Sequence, residues 1–446
     1  MHFPGKKPYI VVCLLLILFI AAIPLVLFIK DQKQPTSEQQ QQTTMNLQPR
    51  NPIALGMQIP KQEDTPTANN TKDGTPVNTN DTPTPTTPQY PDMYLTPVAG
   101  GAQYYVSPSG SDSNDGSLNH PFATIQKAAN VVTPGSIVFV LPGTYTSPVV
   151  VQTDGTAAAR ISFVSTVKWG AQIKTTGSTD PWNTRADYID IIGFDITSTG
   201  ARDGLVNFGS YTRTIANHVH DVPGICDTIG GSGISDEGYT SHDNDLIANV
   251  VDHIGSSYPQ LCQYVHAIYH SNARGHIVNN IAYDNAGCGI NLWHAATDTV
   301  VANNLSFGNS EHGISVGTDT SNTNGVQGDN FIVSNNISID NALLGIRERT
   351  GVGSHNQYLN NIVYGNGNAP FGDENYNWPS SAGSKDVNTI TQNTQFVNYN
   401  VNGTGNYLLQ AGSPAIGAGT NIGAPATDIN GNPRPQGKID IGPYQV

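Results

Sequence analysis

The sequence predicts an all-β fold: a parallel β-helix, or solenoid, in which short strands wind into stacked coils behind a short capping helix. Three observations carry this prediction. The composition is turn-rich and weakly charged, with 12% charged residues and 46 Gly among 446 residues, while Leu, Glu and Lys are sparse beyond the first thirty positions. An Asn-rich block recurs along the second half of the chain. No 3.6-residue apolar periodicity accompanies it, which excludes a helical repeat.

Three segments are expected, 1–30, 31–100 and 101–446. Tyr9 to Ile29 is an uncharged apolar run of 21 residues, long enough at about 1.5 Å per residue to span a hydrocarbon layer of roughly 30 Å. No small-x-small cleavage site closes it, so an uncleaved N-terminal transmembrane helix is expected, with a cleaved signal segment as the alternative. Residues 31–100 are rich in Gln, Thr, Asn and Pro and poor in large hydrophobes, the composition of a disordered linker. Ala123 to Val132 then shows a short helical pattern, with Ile125, Ala128, Ala129 and Val132 on one face, and is placed as a cap on the first coil.

The repeat runs Asn279-Asn280-Ile281 through Asn285 to Gly289-Ile290-Asn291-Leu292, then Asn303-Asn304-Leu305 through Asn309 to Gly313-Ile314-Ser315-Val316. Asn335-Asn336-Ile337 through Asn341 to Gly345-Ile346-Arg347 is the third copy, and Asn360-Asn361-Ile362 through Asn366 opens a fourth. Weaker copies lie at Asn217-His218 and Asn249-Val250. The second Asn returns after 24, 32 and 25 residues, the length of one solenoid coil with loop insertions. Asn suits the corners because it tolerates the left-handed conformation and its amide can bond the same amide one coil on. About ten coils are expected.

Tyr104-Tyr105-Val106-Ser107-Pro108-Ser109-Gly110-Ser111-Asp112, with Pro121-Phe122 and Thr124-Ile125-Gln126-Lys127-Ala128, resembles the opening of the pectate-lyase-like β-helix proteins. The segment from Gly412-Ser413-Pro414 through Asp428-Ile429-Asn430-Gly431-Asn432-Pro433-Arg434 to Asp440-Ile441-Gly442 resembles the closing segment of exported members. The resemblance covers roughly 104–446 and implies a right-handed, single-stranded parallel β-helix that handles polysaccharides. Because that superfamily holds lyases, hydrolases, epimerases and adhesins, it does not fix the reaction.

If Ile290, Ile314 and Ile346 face inward, alternation sends Asn291, Ser315 and Arg347 outward in one column with Tyr269 and Ser235, and Glu237, Trp293 and Arg349 in a second. Coils about 4.8 Å apart gather these into one patch. A lyase acting on a uronic-acid polymer needs a charge to offset the carboxylate, a base and an acid. Arg347 and Arg349 suit the first role, and Tyr269, His270 or His294 suit proton transfer. Asn291, Trp293, His294 and Glu237 are expected to bind substrate. His266 and His270, placed on one side of a strand, lie about 13 Å apart, too far to share one metal ion. Asp236, Glu237, Asp243 and Asp245 form the densest acidic stretch and are the candidate calcium ligands.

His312-Gly313-Ile314-Ser315-Val316-Gly317 is similar to the Gly-His-Gly segment of polygalacturonase-type hydrolases, and Gly345-Ile346-Arg347 to their Arg-Ile-Lys segment. The paired aspartates those enzymes use are missing, as are the Asp-Pro-His motif of alginate epimerases and the Asp-Gly-Phe motif of the ninth pectate-lyase family. Cys226 and Cys262, one repeat apart, are expected to pair in an oxidising compartment, and Cys288 to remain a buried thiol. A net charge of −14 with only 20 Lys and Arg excludes a nucleic-acid partner. The expected protein is a monomer with its β-helix outside the cell, anchored to a membrane or secreted, and its partner is an acidic polysaccharide. Lyase-like β-elimination is the expected activity, with a non-catalytic glycan-binding adhesin and a polygalacturonase-like hydrolase as alternatives.

Overall fold

The computed structural model describes residues 90, 94–256, 262–321, 323–349, 351–367, 376–377 and 385–446. The apolar run at 9–29 and most of the linker lie outside the described residues; within them no helix is long and apolar enough to cross a membrane.

Three parallel sheets of eleven, nine and nine strands form the walls of a β-helix, and an antiparallel pair, Phe396–Asn398 with Asn406–Leu409, follows it. Each coil contributes one short strand to each wall. The first wall runs from Gln103–Val106 to Lys385–Val387, the second from Val149–Val151 to Tyr376–Asn377, and the third from Gly143–Tyr145 to Ile362–Tyr364. The number of strands per wall agrees with about ten coils. Inside, Leu205, Ile234, Ile268, Ile290, Ile314 and Ile346 stack in register along the second wall, all fully buried. That column supplies the continuous apolar core that no single coil could bury alone.

The capping helix spans Ile125–Ala129, shorter than the sequence pattern. Thr124 caps its start, its Oγ1 accepting from Lys127 N at 3.1 Å. It ends because the N–H groups of Val131 and Val132 both turn back to Ala128 O. Ile125, Ala128 and Ala129 enter the main core, so the helix closes the first coil as expected.

The asparagine pairs divide their duties. Asn279, Asn303, Asn335 and Asn360 hold φ between 50 and 57°, turning the corner in the left-handed region. Asn217, Asn249, Asn280, Asn304, Asn336 and Asn361 form a buried ladder, each Nδ2 donating to the next Oδ1 at 2.9–3.2 Å. A second ladder links Asn285, Asn309, Asn341 and Asn366 at 2.8–2.9 Å.

Candidate functional site

The second wall carries the site. Its register aligns Ser235, Tyr269, Asn291, Ser315 and Arg347 on five successive strands, the column expected from alternation. Asn291 and Ser315 are 2% and 1% exposed, so they form the covered floor between a partly exposed Tyr269 and a partly exposed Arg347. Beside this column, the Arg349 guanidinium lies 4.5 Å from the Trp293 ring centroid and covers one face of the indole. Gly317 sits on the coil between them, and a Cβ there would come within 2.8 Å of Trp293 and 2.9 Å of Arg349. Glycine at 317 is what lets the two meet across a coil.

Aromatic and imidazole rings pack over the centre of the groove. His294 stacks on Tyr239 at 4.4 Å and meets Tyr269 edge-on at 6.0 Å. Burial lowers the His294 pKa, a shift that Asp319 partly opposes, so the ring is neutral at pH 7. Burial, helped by Glu237 and Tyr239, raises Tyr269 and keeps its phenol protonated. Glu237 is also raised by burial while accepting from Ser235 Oγ at 3.2 Å.

Behind these lies a layer absent from the sequence-based site. His266 accepts from Cys288 N at Nδ1, 3.1 Å, and its Nε2 lies 3.2 Å from Asn291 Nδ2. His312 accepts from Leu344 N at 3.0 Å and sits 3.1 Å from Arg347. Burial drives both imidazoles down to about 3, and the nearby Arg349 adds to the shift. The free, buried Cys288 donates to Glu311 Oε2 at 2.9 Å.

At the N-terminal end of the groove burial pushes Asp203 up to about 8, with Asp180 and Glu237 adding repulsion. Asp180 is likewise raised by burial. These three carboxylates repel one another's charge, but their ligand atoms do not all come within 4.8 Å of one another, so they do not form a ready-made calcium site. Gly204 follows Asp203 because a Cβ there would lie 2.5 Å from Val219 Cγ1 and 2.6 Å from Gly233 O. Asp203-Gly204-Leu205 departs from the Asp-Gly-Phe string by one residue, a signal that exact matching passed over.

Of the expected site residues, Tyr269, Asn291, Trp293, His294, Arg347, Arg349 and Glu237 share this wall. His270 does not join them. Its side chain is fully buried inside the coil, Nδ1 3.1 Å from Asp236 Oδ2. Asp236 in turn accepts from Asn207 Nδ2 at 2.9 Å, and Asn207 reaches Thr214 Oγ1 on the opposite wall. Alternation misplaces His266 relative to His270 because Ala267 and Ile268 both enter the core, which breaks the two-residue period. The four candidate calcium ligands do not converge either. Asp236 is interior, Asp243 pairs with His242 and Arg274, and Asp245 pairs with His276. Cys226 and Cys262 form the expected disulfide.

Comparison with known proteins agrees with this architecture. The family model described as Pel9A-like, right-handed β-helix region, matches residues 104–395. Pectate lyase L of Dickeya chrysanthemi is 26% identical over 326 residues, covering 64% of this chain and 72% of that protein. Pectate lyase L of Dickeya dadantii (strain 3937) is 25% identical over 312 residues, covering 61% and 69%. Among solved structures, that of pectate lyase Pel9A superposes with a TM-score of 0.54 at 18% identity, covering 77% of this chain and 96% of that one, a likeness of fold. On the strength of the model match across its coils, this chain is a polysaccharide-lyase-like β-helix protein and belongs to the Pel9A-like family.

Proposed function

We propose that the protein cleaves pectate or a closely related uronic-acid polysaccharide by β-elimination in the groove of the second wall. The observation that supports this most is the gathering of a protonated phenol, a neutral imidazole and two guanidinium groups within four successive coils. In this reading Arg347 and Arg349 neutralise the uronate carboxylate, which acidifies the proton on the adjacent C5. His294 removes that proton, the C4–O glycosidic bond breaks as the C4–C5 double bond forms, and Tyr269 gives its proton to the departing oxygen. Calcium, where bound, would supply positive charge to help bind and neutralise an acidic chain, and Asp180, Asp203 and Glu237 are the acidic groups at the N-terminal end of the groove. The pectate lyase names of the relatives, though their identity to this chain is low, support the substrate class.

The apolar run at 9–29 and the disulfide support a location outside the cell, anchored by the N-terminus. Mass spectrometry of products from the purified full-length protein tests the reaction. Elimination leaves one new end per cut as an unsaturated uronate, lighter by one water than the end left by hydrolysis. Saturated ends would replace this reading with the hydrolase, and binding without any cleavage would replace it with the adhesin.

A further inference from the structure

A second cluster lies on the third wall, away from the groove and unused by the chemistry proposed there. Asp195 stands on the strand Asp195–Ser198, and the next coil's strand, His218–His220, brings both of its histidines to the same carboxylate. His218 Nδ1 and His220 Nε2 each lie 3.3 Å from Asp195 Oδ2. The two imidazoles stack, with centroids 4.2 Å apart and planes within 18°. All three ligand atoms lie within 4.8 Å of one another.

The far side of each ring is also fixed. His218 Nε2 is 2.8 Å from Asp252 Oδ2, on the following coil, and His220 Nδ1 is 2.7 Å from Asp221 Oδ2. Asp252 and Asp221 accept the outer N–H of each ring, so an ion that displaces the inner protons on binding would find both inner nitrogens already turned toward Asp195. Metal-bound histidines are oriented in the same way, by a carboxylate that holds the ring nitrogen facing away from the ion. Ligands held at about 2.0–2.1 Å around a tetrahedral ion are themselves roughly 3.3–3.4 Å apart, the spacing found here from Asp195 to each histidine. Among the described residues the ion pairs of Asp195, Asp221 and Asp252 all run to histidines and none to a guanidinium or ammonium. His218 and His220 side chains are 20% and 21% exposed, which leaves a path for an ion and a fourth, water-filled position. Trp169, tilted 38° against His218 with ring centroids 4.9 Å apart, shields one side.

We propose that His218, His220 and Asp195 form a binding site for a zinc-class divalent transition ion that ties two successive coils together. Two nitrogens and one oxygen with an open position suit zinc rather than calcium. The other His/Cys/Glu grouping, His266 with Cys288 and Glu311, is a poorer candidate. Its His266 Nδ1 already accepts from Cys288 N, and Arg349 bears on all three residues.

The test uses full-length protein stripped with chelator and titrated with zinc chloride, then with cobalt(II) as a spectroscopic probe. One equivalent of zinc is expected to bind and raise the melting temperature, and cobalt to give a tetrahedral visible band without thiolate charge transfer. His220→Gln and Asp195→Asn should each lower zinc affinity about 100-fold or more, and Asp252→Asn by about 10–100-fold. Cys288→Ser should change nothing. Folded wild-type protein that takes up no stoichiometric zinc would overturn the site. So would zinc binding that survives His220→Gln and is lost in Cys288→Ser, or a thiolate band in the cobalt spectrum, neither of which depends on the folding of the ligand variants.

Discussion

Adjacent asparagines at one corner of each coil do different work, and substitution should separate them. Asn336 Nδ2 donates to Val301 O and Asn361 Oδ1, while its Oδ1 accepts from both Asn304 N and Asn304 Nδ2. Asn336→Ala strands these buried groups and is expected to cost about 2–3 kcal/mol, read from the shift in denaturant midpoint. Asn360 instead holds φ at 50°, and its side chain donates to Ala418 O. Asn360→Gly keeps the turn and should cost about 1 kcal/mol, whereas Asn360→Ala adds about 1–2 kcal/mol of left-handed strain. In the groove, Tyr269→Phe should lower kcat by about 10²–10⁴-fold with little change in substrate binding. His294 acts as a base only when neutral. Because burial lowers its pKa, the acid limb of kcat/KM should fall below the ordinary histidine value of 6.5, and His294→Gln should remove that limb. The outward column was legible because strands alternate with a period of two. His266 was not, since it lies upstream of Ala267 and Ile268, two successive residues that turn inward so that the count loses its parity.

At the scale of elements, the first wall is pinned by a buried ion cluster that pattern reading did not register. Asp190, fully buried, lies 2.6 Å from Arg160 and 2.5 Å from Arg213, which come from the coils on either side. Burial raises the Asp190 pKa, but Arg213 and Arg160 outweigh it and hold the carboxyl below its usual range. A carboxyl whose folded pKa is depressed stabilises the protein above its unfolded value, here 3.8, and loses that contribution as pH falls through the folded value. The wild type should therefore lose stability on acidification below about pH 4. Asp190→Asn should be less stable at neutral pH by about 3–5 kcal/mol, because two buried guanidiniums lose their partner, and its stability should depend less on acid. Thermal melts from pH 3 to pH 7 measure both. Such a cluster was hard to read ahead because its members are one coil apart and the spacing of coils varies with loop insertions.

Over the whole molecule, the closing segment runs back along the outside of the coils and seals the turns that the first asparagines make. Asn279 donates to Thr427 O, Asn303 to Asp440 O and Gly442 O, and Asn335 to Thr420 O, all at 2.8–3.0 Å. Arg434, 5% exposed, donates to Asp440 O, Gly442 O and Asn279 Oδ1. Arg434→Ala should cost about 2–3 kcal/mol and lower the melting temperature without altering groove chemistry. The sequence showed this segment as a family-like ending; that it binds the corner asparagines depends on contacts 85 to 155 residues apart, which no local pattern carries. The groove itself is likewise a product of the whole solenoid, since its phenol, imidazole and guanidiniums come from separate coils. The most direct measurement is the ultraviolet absorbance of unsaturated uronate, followed while the purified full-length protein, its Tyr269→Phe variant and its Arg349→Ala variant act on pectate with calcium. A steady rise for the wild type that is nearly abolished in both variants is the predicted result. A flat wild-type trace with pectate still bound, or a rise that both variants share, would contradict it.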